Sequence, residues 1–267
     1  MIIERRVMRR VFFCALFCAL FCVLPARAAR TVAVQVDGTP LSGTCQLEDG
    51  VTYVPFRSLL DAFGGWEVYW DAQARQAAAV SGDRRVTADP GSNVLTVDGV
   101  AYAGRVTVEN GCTYVPLRIL TEALGGAAAW DPRLPGAAVT SPGADYDAQA
   151  LYWLAHIISA ESQGEPFSGQ IAVGNVVLNR VADDSFPDTI PEVVFDRRGA
   201  VQFEPVGNGT VFQAPAPLSV EAAKRVLDGE NTAGAAMYFY APALSRGVWI
   251  NAHRRYLKTI GGHRFYL

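Results

Sequence analysis

The sequence predicts an α+β protein with a β-rich, duplicated N-terminal domain and a helix-rich C-terminal domain. Blocks of residues within 29–142 recur 61 positions later, which indicates an internal duplication. Each copy alternates short apolar segments with turns that contain Gly, Asp or Asn, as strands do. Two apolar segments, 147–165 and 167–181, then have the spacing and length of helices.

The first 28 residues have the pattern of a secretory signal. Four arginines precede an apolar run of 14 residues at 11–24, and Ala26 and Ala28 supply the small residues of a cleavage site. A bilayer span needs about 20 apolar residues. We therefore expect a cleaved signal, a secreted protein and no stable membrane insertion after cleavage; an uncleaved N-terminal anchor is the alternative.

The charge, cysteine and histidine content argues against several classes of function. Residues 1–28 hold five Arg and one Glu, so the remainder holds 18 basic and 25 acidic residues, a net charge of −7. That balance disfavours nucleic acid as a partner. Cys45 and Cys112 either pair outside the cell or remain free thiols. The three histidines lack metal-ligand spacing, so we expect neither a metal nor another cofactor.

The duplicated region has a specific internal pattern. The segment TYVPFR at 52–57 returns as TYVPLR at 113–118, and Gly-Gly and Trp-Asp pairs follow in both copies. Each copy predicts a strand that leads through proline into a helix, over Phe56–Phe63 and Leu117–Leu124, with Gly-Gly after its end. The pattern resembles the copper amine oxidase N-terminal domain, and residues 29–142 are predicted to be a stalk of this type. They contain no His, so no copper is implied.

Segment 147–165 predicts an amphipathic helix that carries a candidate acid. Leu151, Leu154 and Ile158 share one face, and Glu161 extends that face by three residues. An apolar neighbourhood and the negative end of the helix dipole both disfavour a carboxylate, so both should raise its pKa. A carboxyl group that stays protonated near neutral pH suits a general acid. A solvated glutamate in the last turn is the alternative.

The segment 141–144 predicts a linker, after which residues 145–267 are expected to fold and act independently. Within them, Tyr238 and Tyr240 project to one side of an aromatic strand. Exposed aromatic rings at such a place suit stacking against sugars, and core packing is the alternative.

The C-terminal blocks resemble the spore-cortex-lytic and cell-wall hydrolase family. These blocks are AE and GEP within 160–166, GQIAV at 169–173, VLNRV at 177–181, QF at 202–203, YFY at 238–240 and IGGH at 260–263. The resemblance implies a lysozyme-like fold for 145–267 and cleavage of peptidoglycan between N-acetylmuramic acid and N-acetylglucosamine. It implies that Glu161 is the catalytic residue and that Gln202 contacts substrate, and we expect Phe203, Tyr238, Tyr240 and Gln170 to line the same site. The sequence departs from the family pattern at Ala241, in the stretch 197–200 and at the pair Glu204–Pro205.

The family's members look like lytic transglycosylases, which need one acid. Most glycosidases use two carboxylates, and no second Asp or Glu stands at an obvious partnering position in the sequence. We therefore expect Glu161 to protonate the glycosidic oxygen and then to accept the proton of the muramic 6-hydroxyl, giving a 1,6-anhydro product. The expected location is the cell wall or spore envelope, and the stalk is expected to contact wall or coat components. A hydrolytic muramidase and a catalytically inactive wall-binding or spore-coat protein are the alternatives.

Overall fold

The computed structural model describes residues 29–134, 136–198 and 201–267. The predicted signal at 1–28 lies outside these residues. Within the described ranges, no helix has the length and apolar content needed to cross a membrane. The architecture is α+β, with strands concentrated before residue 141 and helices after it, as the sequence predicts.

Two sheets form the described part of the N-terminal domain. Their strands are β1 (Arg30–Val36), β2 (Thr39–Pro40), β3 (Cys45–Glu48), β4 (Val51–Pro55), β5 (Glu67–Asp71), β6 (Gln76–Ser81), β7 (Arg84–Asp89), β8 (Val94–Val97), β9 (Val100–Ala103), β10 (Thr107–Glu109), β11 (Cys112–Pro116), β12 (Ala127–Asp131) and β13 (Gly136–Thr140). The larger sheet has the order β10-β11-β4-β3-β1-β13-β12, with β2 paired to β1. The smaller sheet is the antiparallel series β5 to β9.

The predicted duplication appears in the larger sheet. β4 and β11 carry the two Tyr-Val-Pro segments and pair antiparallel, with Val54 opposite Val115. Helices α1 (Phe56–Phe63) and α2 (Leu117–Leu124) follow these strands, with the bounds that the sequence predicts. The prolines are the N-cap residues of the two helices, and their extended backbone continues each strand to the start of its helix.

The first and last strands of this domain are neighbours. β1 pairs in parallel with β13, and Ala33 lies opposite Gly136. A Cβ atom at Gly136 would overlap the carbonyl oxygen of Ala33. Glycine is therefore required where the two backbones approach closely, and this pairing joins the ends of the duplicated unit.

Both cysteines of the described chain are free thiols. Cys45 is buried in the N-terminal core, and burial raises its pKa to about 11. A buried thiol with a raised pKa is poorly reactive and behaves as a small apolar side chain.

The C-terminal domain packs helices around a central one. Its elements are α3 (Ala148–Ser162), α4 (Phe167–Val181), α5 (Ile190–Val194), α6 (Glu204–Asn208), a 3₁₀ turn at Thr210–Phe212, α7 (Pro217–Leu227), α8 (Val248–His253), and strands β14 (Tyr238–Tyr240), β15 (Tyr256–Ile260) and β16 (His263–Tyr266). These strands form a small antiparallel sheet with the order β14-β16-β15.

Helix α3 is the central helix. The side chain of Asp147 caps its start by accepting hydrogen bonds from the backbone N–H groups of Gln149 and Ala150, both at 2.9 Å. Every residue from Leu151 to Ser159 is buried. The prediction of an amphipathic helix is therefore wrong, because α4, α7 and the edge of the N-terminal sheet together cover all its faces. It ends at Ser162, so Glu161 lies in its last turn.

The two domains share a buried polar contact. The indole N–H of Trp153 in α3 donates to Asp131 in β12 at 2.7 Å, and neither side chain is exposed. Asp131 also accepts bonds from the backbone N–H and the guanidinium of Arg133. Arg133 lies over the ring of Phe195, which packs edge-on against Trp153. The four side chains form a closed cluster that we call the Asp131 cluster.

Further contacts hold the domains together. Ser141, in the predicted linker, donates from its backbone N–H and its hydroxyl to Asp37 at 3.0 and 2.6 Å. Leu134 and Ala138 of the N-terminal domain belong to the same apolar core as α3. The two domains form one packed unit, and the independent folding of residues 145–267 stays a prediction.

A chain of hydrogen bonds also crosses the interface. Gln35 in β1 contacts His156 in α3 at 3.3 Å, and the other ring nitrogen of His156 contacts the carbonyl oxygen of Val211 at 2.7 Å. Burial lowers the pKa of His156 to about 4. The neutral ring therefore donates to Val211 and accepts from Gln35, so that β1, α3 and the 3₁₀ turn have fixed relative positions.

Candidate active site

A cleft of about 890 Å³ opens beside the C-terminal end of α3. It is lined by the end of α3, by α6 and the loop before it, by strand β14, and by the segment that leads into α8. Its side chains include Glu161, Arg180, Gln202, Glu204, Tyr238, Tyr240, Leu244, Trp249 and His263. The cleft therefore combines carboxyl groups, a guanidinium and aromatic rings, which suits a carbohydrate substrate.

Glu161 lies in this cleft and is only partly exposed. The pKa of Glu161 is raised to about 7, mainly by burial and also by the negative charge of Glu204, while the positive charge of Arg180 opposes the rise. The carboxyl group is thus half-protonated near neutral pH. It is able both to donate and to accept a proton at physiological pH, as a general acid–base group must.

Arg180 is a buried cation in the floor of the cleft, with 4% of its surface exposed. Its Nε donates to the carbonyl oxygen of Met237 at 2.9 Å, and its guanidinium lies 5.1 Å from the ring centre of Phe203. Nη1 has no hydrogen-bond partner within the described chain. Burial lowers the pKa of Arg180 to about 10, while its interaction with Glu161 acts in the opposite direction. Arg180 therefore supplies positive charge when Glu161 ionises.

Glu204 is the residue at this site that reasoning from sequence missed. It is the first residue of α6 and lines the same cleft as Glu161. The sequence marks Glu204–Pro205 as a departure from the family pattern, and that departure was the available signal. Glu204 lies close enough to Glu161 for its negative charge to raise the pKa of Glu161.

The predicted substrate-binding residues divide into two groups. Gln202, Tyr238 and Tyr240 line the cleft. Phe203 borders it, but its ring is 2% exposed and packs against Arg180 and Phe239. Phe203 therefore supports the cleft floor and offers little ring surface to a sugar.

Gln170 is not a substrate contact, and its prediction is wrong. Its side chain is fully buried in α4. Its amide donates to the backbone oxygens of Gln163 and Glu165, and its carbonyl accepts from Ser219 at 2.7 Å. These bonds tie α3, α4 and α7 together, so the amide serves the core and not the cleft.

The segment 241–249 forms an apolar wall of the cleft. Leu244 and Trp249 line it, and 89% of Leu244 is exposed. Gly247 lets the segment pass close to Tyr240, since a Cβ atom there would overlap the tyrosine ring, and its φ is positive. A partly exposed indole therefore lies beside the two tyrosines, Tyr238 and Tyr240, that the sequence predicts to contact sugars.

Glu165 has a different environment from Glu161. It accepts a hydrogen bond from the backbone N–H of Gly262 at 2.7 Å and lies 3.6 Å from Nδ1 of His263. A Cβ atom at Gly261 or Gly262 would collide with the Glu165 carboxylate. The Gly-Gly-His segment therefore accommodates Glu165, and this explains its glycines. Burial lowers the pKa of His263 more than Glu165 raises it.

Metal-ligating side chains do not cluster anywhere in the described ranges: no group of three or more His, Cys, Asp or Glu could hold an ion there.

Both halves of the chain are similar to known protein families. Residues 164–266 match the family model for Cell Wall Hydrolase, and residues 35–136 match the Copper amine oxidase N-terminal domain. The spore cortex-lytic enzyme of Bacillus cereus is 28% identical over 209 residues, which make up 77% of this chain and 75% of that protein. The spore cortex-lytic enzyme of Bacillus subtilis is 31% identical over 112 residues, or 42% of this chain and 35% of that protein.

Among solved structures, the catalytic domain of the germination-specific lytic transglycosylase SleB from Bacillus anthracis is 33% identical, with a TM-score of 0.42. The match covers 46% of this chain and 98% of that one. Glu161 lies three residues before the segment that the hydrolase family model matches. The two matched segments correspond to the β-rich and helix-rich parts of the fold. The chain therefore holds a cell wall hydrolase domain, preceded by a copper amine oxidase N-terminal domain, and it is an enzyme of the cell wall hydrolase type.

Proposed function

We propose that this enzyme cleaves the glycan strands of peptidoglycan between N-acetylmuramic acid and N-acetylglucosamine, with Glu161 as the single acid–base group. The observation that carries this proposal is a carboxyl group with a pKa of about 7 in a cleft walled by tyrosine and tryptophan rings. The names of its relatives, spore cortex-lytic enzyme and lytic transglycosylase, support the substrate class.

The chemistry follows from the charges of the cleft. Protonated Glu161 donates to the glycosidic oxygen as the C1–O bond breaks, and the muramic acetamido group stabilises the cationic centre. Arg180 then lies beside a carboxylate, and its charge favours that state. Ionised Glu161 accepts the proton of the muramic 6-hydroxyl, whose oxygen bonds to C1. The product is a 1,6-anhydromuramic end, and Glu161 is protonated again.

A hydrolytic muramidase is the second candidate, and Glu204 is the observation that favours it. This carboxylate lies in the same cleft, where it would accept a proton from a water molecule that attacks C1. The transglycosylase reaction remains our proposal, since it needs only Glu161, whose pKa of about 7 suits both proton transfers. The N-terminal domain is proposed to contact the wall or the spore coat, and secretion follows from the predicted signal.

The proposal is tested by digesting purified cell walls and purified spore cortex with the full chain lacking residues 1–28. We expect soluble saccharide fragments from at least one of the two. Binding to both substrates without release of fragments would instead identify a catalytically inactive wall-binding protein.

Replacing Glu204 by Gln should move the pH profile. Glu161 must be protonated to act as the acid, so activity falls as the pH rises through its pKa of about 7. The charge of Glu204 raises that pKa, so Glu204→Gln lowers it and shifts the falling limb of kcat/KM to lower pH. Activity at pH 8 should fall more than activity at pH 5. A loss that is equal at both pH values would assign Glu204 a direct chemical role, as in the hydrolytic reaction.

Replacing Gln202 by Ala should weaken the reaction less than loss of the acid. Gln202 lines the cleft, and a substrate hydrogen bond left unmade costs about 1–3 kcal/mol. We expect kcat/KM to fall about 10- to 100-fold, the range that this energy implies, with an unchanged unfolding midpoint. Wild-type activity in this variant would remove Gln202 from the site.

A further inference from the structure

A second cavity of about 500 Å³ adjoins the catalytic cleft. Four residues line both spaces, so the two are neighbours along one wall: Arg198, Gln202, Tyr238 and Trp249. Its remaining lining includes Asp183, Asp196 and Arg254. We call it the side cavity. A linear glycan in the cleft would leave this space unfilled, so the space has room for a group that branches from the strand.

Arg254 is the distinctive group of the side cavity. Its guanidinium lies 4.2 Å from the ring centre of Tyr238 and 5.3 Å from that of Trp249. Nε is buried without a hydrogen-bond partner, and no carboxylate of the described residues pairs with the side chain. The two rings fix the cation in place and leave its charge uncompensated, which favours an anionic ligand.

The other charges of the side cavity are differently placed. Arg198 forms hydrogen bonds with Asp196 through Nε and Nη2, so this pair is internally neutral. Asp183, which also lines the cavity, is half-buried and accepts a bond from the backbone N–H of Ser185. The lining of the cavity thus offers an unpaired cation, Arg254, and the carboxylate of Asp183. This arrangement suits a peptide that carries carboxylates and an amine.

We propose that the side cavity binds the peptide that branches from N-acetylmuramic acid, with Arg254 paired to a carboxylate of that peptide. The inference rests on the proposed function, because it takes the glycan strand to lie in the cleft. The lactyl group of muramic acid carries this peptide away from the strand, which requires a space beside the cleft. Side-chain carboxylates and the amine of the diamino acid match Arg254 and Asp183 respectively.

The test is a direct measurement of binding to the full chain by isothermal titration. Two ligands that the enzyme cannot cleave are compared: N-acetylmuramic acid bearing a tripeptide that ends in the diamino acid, and N-acetylmuramic acid without peptide. We expect the first to bind at least about 10-fold more tightly, as a charge-assisted hydrogen bond implies. Arg254→Gln should reduce the ratio of the two affinities, with peptide to without peptide, to near one. Arg254→Lys should keep most of this ratio.

Arg225→Gln is the matched control, because Arg225 is an exposed cation of α7 that pairs with Glu221, outside the residues lining either space. It should leave the ratio unchanged. Equal binding of the two ligands by the wild-type chain, or a ratio that survives Arg254→Gln, would overturn the inference. If the chain binds the peptide-bearing ligand much more tightly but releases no fragments from peptidoglycan, the inference about the side cavity stands and the proposed function fails. The two failures are therefore distinguishable.

Discussion

Glu161→Gln is expected to abolish peptidoglycan cleavage. A positioned acid–base group contributes about 10²- to 10⁴-fold to a rate, and Glu161 is the carboxyl group of the cleft whose pKa, about 7, suits both proton transfers. Glutamine has nearly the same shape but does not donate a proton of comparable acidity. The loss should therefore appear in kcat, with substrate binding largely kept. The loss is measured by comparing how fast the wild-type and variant enzymes release fragments from the same peptidoglycan preparation.

The same substitution should not destabilise the fold. The pKa of Glu161 is higher in the folded chain than in the unfolded chain. As the pH rises from the unfolded-state pKa towards 7, ionisation of Glu161 therefore lowers the free energy of unfolding. Glu161→Gln removes this cost, so the unfolding midpoint should rise more at pH 8 than at pH 4, where both side chains are neutral. In a protein of this size, 1 kcal/mol corresponds to about 2–4 °C.

Glu165→Gln is the matched control for this substitution. Glu165 accepts a hydrogen bond from Gly262 and contacts His263. We expect modestly lower stability and measurable activity. Near wild-type activity in Glu161→Gln, together with inactivity in Glu165→Gln, would transfer the acid role to Glu165.

Asp131→Ala is expected to cause the largest loss of stability. It leaves the buried indole N–H of Trp153 and the guanidinium of Arg133 without their acceptor. A buried donor left without its acceptor costs about 1–3 kcal/mol, and the lost pairing with Arg133, whose side chain is 41% exposed, adds less than that. Because the contact joins the two domains, chemical denaturation should change from one cooperative transition towards two. Activity should fall in parallel, since Trp153 and Glu161 belong to the same helix.

Asp71→Ala is the matched control, since Asp71 is the equivalent residue of the first repeat. Asp71 accepts only the backbone N–H groups of Gln73 and Ala74 in the same turn. Its loss should cost about 0.5–1.5 kcal/mol, the usual net value of such bonds. Equal destabilisation by the two substitutions would mean that the Asp131 cluster adds nothing beyond its local turn.

The parts of the fold that the sequence predicts well are those that depend on neighbouring residues. The helices Phe56–Phe63 and Leu117–Leu124 were predicted with their observed bounds because proline before and glycine after mark their ends locally. The burial of α3 on all sides was not predictable, because the N-terminal sheet that covers one face of α3 comes from residues far away in the sequence.

The same distinction applies to the site. Glu161 and Gln202 follow from local pattern and family motif, and both line the cleft. Glu204 and Arg254 gain their importance from tertiary contacts with Glu161 and Tyr238, which no local spacing reveals. Gln170 was misassigned because a motif does not distinguish an amide that faces substrate from one that satisfies buried backbone groups.

The most direct test of the central claim is mass spectrometry of the fragments that the full chain releases from peptidoglycan. If Glu161 acts alone as acid and then base, the muramic ends should be 1,6-anhydro forms, lighter by one water than reducing ends. Glu161→Gln should yield neither product. Reducing muramic ends would contradict this mechanism, because they require an attacking water and a second group, for which Glu204 is in place.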